Sequence, residues 1–111
     1  MVLAPAVVAV LFAQSPGGLV SYEEAVRCAG LTQAASELEG GESPEGRALY
    51  DAALYWSLAA MRAGTAAGRT SQAAENDQTR ARIEGVRQLS ADAPAARAAL
   101  RQCRERAPKL D

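Results

Sequence analysis

Cys28 and Cys103 are the residues here best suited to covalent chemistry, and that chemistry is oxidation. They are the only two cysteines, stand far apart, and form neither a CxxC pair nor a metal-type spacing. In an oxidising compartment such a pair closes one structural disulfide. Histidine is absent from all 111 residues, which removes the usual general base and zinc ligand. The sequence contains no glycine-rich phosphate loop, HExxH, GxSxG or calcium-loop pattern. Carboxylates such as Glu23 and Asp51 could pair in space, but no spacing demands it. The residues point to a non-enzymatic protein with no cofactor and no metal site.

Two sets of side chains remain as candidate contacts for a ligand or partner. Trp56 with its neighbour Tyr55 offers either a wall for a small hydrophobic ligand or ordinary core packing, the commoner use of aromatics. Arg97, Arg101 and Arg104 fall near one face of a C-terminal helix and offer either an anion contact or a solvated surface. A net charge of -1 gives no reason to expect nucleic acid as a partner. Its distribution is uneven. Residues 21–51 carry Glu23, Glu24, Glu37, Glu39, Glu42, Glu45 and Asp51 against Arg27 and Arg47, while Arg97, Arg101, Arg104, Arg106 and Lys109 crowd the end. Acidic front and basic back are expected to attract each other within one domain.

The elements that position these residues are helices. Alanine is abundant, and Val, Ile and Thr are sparse after the first dozen positions, which favours helix over sheet. The expected fold is all-α, a four-helix bundle-like domain over 21–107 with one disulfide. Residues 1–13 (MVLAPAVVAVLFA) are too short to span a bilayer, so no stable transmembrane anchor is expected there. They fit the apolar core of a signal peptide ending at Ala13, although no Lys or Arg precedes the run. The alternative is an N-terminal element tucked into the core. Residues 14–20 read as a flexible linker.

Ser21 followed by Glu24 is a capping-box pattern opening the first helix. Ala25, Cys28, Leu31, Ala35 and Leu38 then form its inner stripe, flanked by Tyr22 and Val26, until Gly40-Gly41 stop it. Gly30 weakens this helix by about 1 kcal/mol unless a neighbour packs tightly there. Ser43 and Pro44 open the second helix, expected to end near Gly64. From Ala48 to Met61 every residue except Asp51 and Ser57 is apolar or aromatic. A helix apolar on nearly all sides is expected at the buried centre of the bundle. The third helix runs from Ser71 to Leu89 with Ile83, Val86 and Leu89 inward. In the fourth, Asp92 caps, Pro94 occupies the first turn, and Ala96, Leu100, Cys103 and Ala107 face the core. Cys28 and Cys103 thus both point inward, joining helices one and four.

With a short leader, Cys28 and Cys103 near its two ends and alanine-rich helices between, the chain resembles the small exported two-cysteine helical proteins of Gram-negative bacteria. The resemblance covers most of the chain, carries no site residue over, and implies a periplasmic or secreted location. Trp56, Leu58 and Ala60 also resemble one tetratricopeptide unit, but Leu58 follows Trp56 one position too soon, and a solenoid needs three or more units. The expected role is binding an envelope protein or serving as a small structural component of the envelope. A carrier with a pocket beside Trp56 is the alternative. Self-association through exposed parts of the second helix is left open.

Overall fold

Local signals place the four helices close to where the sequence predicts them. In the computed structural model, which describes residues 20–108, they are α1 (Tyr22–Glu39), α2 (Pro44–Ala66), α3 (Ser71–Ser90) and α4 (Pro94–Arg106). The signal-peptide assignment to 1–13 and all but the last residue of the linker assignment lie outside the described residues. Ser21 Oγ accepts the Glu24 amide at 3.0 Å, so half of the capping box forms; the Glu24 carboxylate turns instead to Arg106. Ser43 Oγ accepts the Gly46 amide at 2.9 Å, with Pro44 next in line. Thr70 caps α3 through the Ala73 amide at 3.1 Å.

The centre of the domain is α1, not α2. It touches all three other helices, most extensively α2 and α3. Its buried residues, Ala25, Cys28, Ala29, Gly30, Leu31, Thr32, Ala34 and Ala35, occupy more than one face. Thr32 satisfies its hydroxyl locally, donating to the Cys28 carbonyl at 2.7 Å. The reason α1 wins the centre is size: alanine and glycine let neighbours approach from several directions, whereas the large side chains of α2 cannot all be covered. One face of α2, with Leu49, Ala52, Ala53, Trp56, Ala60 and Gly64, is buried. Tyr50, Leu54 and Leu58 stand exposed on the other.

Three further expectations are corrected. First, α2 continues through Gly64 to Ala66. Gly64 lies beneath the Tyr22 ring, where a Cβ would stand 3.1 Å from Tyr22 Cε1, and the chain turns at Gly68 with φ +81°. Second, Ile83 faces solvent, at 51% exposure. The inner face of α3 consists of Ala74, Gln78 and Gly85 with partly buried Ala81. Leu38, in the last turn of α1, is likewise exposed. Third, Asp92 does not cap α4. The N-cap is Ala93, without a side-chain hydrogen bond, and Asp92 instead pairs with Arg97 at 3.3 Å.

The helix-weakening Gly30 is explained by the crossing of α1 and α3. A Cβ on Gly30 would lie 2.5 Å from the Ala81 Cβ and 2.6 Å from its carbonyl carbon. Across the same contact, a Cβ on Gly85 would meet Ala34 Cβ at 3.1 Å and the Gly30 oxygen at 3.2 Å. Gly30 and Ala34 thus interlock with Ala81 and Gly85, one turn apart on each helix. Helix propensity alone makes Gly30→Ala stabilising by about 1 kcal/mol, but overpacking against backbone costs typically ~1–3 kcal/mol, occasionally more. Gly30→Ala is therefore expected to lower stability in urea unfolding; a raised midpoint would contradict the interlock.

Candidate functional site

The two cysteines meet as expected from the sequence. Cys28 and Cys103 are disulfide-bonded with Cα atoms 5.5 Å apart, both buried in the core cluster with Ala25, Ala29, Leu31, Trp56, Ala60 and Ala96. Trp56 belongs to this assembly. It is 1% exposed, and its indole N–H donates to the Cys103 carbonyl at 2.9 Å. The Arg106 guanidinium lies over its ring, 5.8 Å from the centroid, and Tyr55 packs edge-on at 5.0 Å. The space beside Trp56 is thus filled by protein. Tyr55, half-buried, instead lines an apolar groove of about 630 Å³ with Val20, Tyr22, Leu58, Ala59 and Ala63.

Arg97, Arg101 and Arg104 do gather on one side of α4, around Leu100 in a shallow groove. Two are already matched. Arg97 pairs with Asp92, and Arg104 makes a two-point contact with Glu45 at the start of α2. Arg101 is exposed and outside every ion pair found among the described residues. With Glu24–Arg106 and Glu37–Arg82, the Glu45–Arg104 pair realises the expected attraction between acidic front and basic back. Glu45 is held below the ordinary carboxylate value, first by the hydrogen bonds from Arg104 and then by its charge.

A polar cluster not anticipated in the sequence joins α1 to the α2–α3 connection. Tyr22 donates to Asp77 Oδ2 at 2.8 Å; Arg69 reaches the same oxygen at 2.7 Å, and Arg80 binds the other. Arg69 also stacks over the Tyr22 ring at 5.2 Å. The tyrosine hydrogen bond is the main cause holding Asp77 below its ordinary value, followed by the charges of Arg69 and Arg80. Burial, then the bond to Asp77, pushes Tyr22 upward. With both its oxygens occupied by donors, Asp77 is poorly placed to act as a base. Its role is to tie three elements. The spacing of Asp77 and Arg80 signals only a surface helix pair, so nothing local pointed to Tyr22.

A further distinctive surface is the outer face of α2. Tyr50, Leu54 and Leu58, one turn apart, are 55%, 43% and 62% exposed. The groove beside Tyr55 borders this ridge on one side. On the other lies a smaller groove with Gln33, Ala53 and Ser57, where Gln33 donates to Ser57 at 2.6 Å. The signal was present: Leu49–Met61 has too many large apolar side chains for one helix face. Among the described residues no three His, Cys, Asp or Glu side chains gather as a metal-binding group, and no helix is long and apolar enough to cross a membrane. Comparison with protein-family models, curated proteins and solved structures gives no match.

The Tyr22–Asp77 bond has a direct readout. Because the folded pKa values of Asp77 and Glu45 are lowered, the stability they contribute is present above the unfolded carboxylate value of about 4 and is lost as pH falls through the folded values. Tyr22→Phe removes the main cause of the Asp77 shift. Its carboxyl ¹³C titration midpoint is expected to move up toward the ordinary value, with Glu45 unchanged. An unmoved Asp77 midpoint would contradict the cluster.

Proposed function

We propose that this chain is an exported helical module, periplasmic or secreted and locked by Cys28–Cys103, which acts without catalysis by binding a protein of the cell envelope. The observation that carries the reading is the exposed ridge of Tyr50, Leu54 and Leu58 on α2. Single exposed apolar residues are ordinary, but a contiguous ridge at helical spacing, rimmed by polar groups, marks interaction surfaces. The disulfide supports export, since such bonds persist in oxidising compartments. The leader-like composition of residues 1–13 supports it as well.

The test is expression in a Gram-negative host with a photo-crosslinking side chain at Leu54, and separately at Glu75 on the outer side of α3. The periplasmic fraction is expected to hold the oxidised protein, with a mass lacking about 13 N-terminal residues. Irradiation is expected to give a discrete adduct from Leu54 and none from Glu75. Free thiols with a full-length mass, or no adduct from Leu54, would contradict the reading.

A further inference from the structure

We infer that the outer face of α2 is a self-complementary surface whose partner is a second copy of this chain, packed antiparallel. The inference rests on the reading of α2 as a binding face and names the occupant. The ridge runs along positions four apart, Tyr50, Leu54 and Leu58, and ridges of this type interdigitate when two helices pack. A two-fold axis at the level of residue 56, midway between Leu54 and Leu58, sets Leu54 of each copy against Leu58 of the other. Four leucines then form the centre of the contact.

The charges beside the ridge fit the same axis. Asp51 lies five residues before that centre and Arg62 six after it. In the antiparallel pair the carboxylate of one copy therefore comes within about one helical rise, ~1.5 Å along the axis, of the other copy's guanidinium. At about 100° per residue, both lie on the same flank of the ridge, so the match occurs on one side and is made twice by symmetry. Neither residue belongs to an ion pair found among the described residues. Arg47, which binds the Glu42 carbonyl in its own chain, falls opposite uncharged Thr65, so no like charges meet. In a parallel pair in register, Asp51 and Arg62 of the two copies lie on opposite flanks and eleven residues apart in level, so neither carboxylate meets a guanidinium and charge favours the antiparallel arrangement. The excess of apolar side chains on α2, which one buried face cannot absorb, is thereby covered.

Sedimentation velocity of the purified, oxidised chain over a concentration series tests this at low ionic strength, where exposed ion pairs are least screened. The wild type is expected to dimerise reversibly. Leu54→Glu with Leu58→Glu, both at exposed positions, is expected to give a monomer with unchanged helix content and disulfide. Asp51→Arg alone and Arg62→Asp alone are each expected to weaken association by about tenfold; together they restore it. A wild type that stays monomeric overturns the inference. So does a dimer that survives the two glutamates, or charge reversals that fail to rescue each other. A monomer that still gives a Leu54 adduct with a different envelope protein overturns the dimer and leaves the binding-face reading standing. Absence of both removes both.

Discussion

Because α4 fully buries only Ala96 and Cys103, its place on the domain depends on the bond between Cys103 and Cys28. That bond closes a separation of 75 residues, and in the chain-entropy model a loop of this size contributes about 4–5 kcal/mol. Against a typical net stability of ~5–15 kcal/mol this is a large share. Its consequence extends beyond α4. Docking that helix brings the Cys103 carbonyl to the Trp56 indole and lays Arg106 over the ring. The largest core side chain is thus closed in by a helix that has little apolar surface of its own.

The rest of the domain works by closeness rather than bulk. α1 is central because alanine and glycine let two helices press against it, with Gly30 and Ala34 set into Ala81 and Gly85. Such contacts gain dispersion over short distances but bury little area per residue. Polar ties complete them: Gln33 to Ser57 between α1 and α2, Arg82 to Glu37 between α3 and α1, and Tyr22 to Asp77 across the turn after α2. A centre built from small residues has a corollary at the surface. The large apolar side chains of α2 exceed what the interior accommodates, and they remain outside as a ridge.

Helix positions, the caps at Ser21 and Ser43, and the pairing of the cysteines were legible in the sequence because each rests on local spacing or on elimination. The centre of the bundle was not. Counting large apolar residues favours α2, while packing favours the helix whose neighbours can come closest, and glycine scores as a defect in the first view and as a contact in the second. Ile83 was misplaced for the same reason, since bulk was taken to point inward along α3. Asp92 was misread because an acidic residue before Pro94 resembles a cap, although the N-cap position belongs to Ala93. Of the candidate contact residues, Trp56 proved to be core, Tyr55 groove wall, and Arg97 and Arg104 partners of carboxylates in the same chain. The Tyr22–Asp77 cluster joins residues 55 apart and left no local trace.

The disulfide holds α4 over Trp56. Amide hydrogen exchange of the purified protein, with the Trp56 indole proton followed alongside, tests it before and after reduction. In the oxidised protein the interior of α4 and the indole N–H are expected to be protected. After reduction both are expected to lose protection well before α1, α2 and α3. Protection of α4 that survives reduction, or falls only in step with the other three helices, would contradict the account.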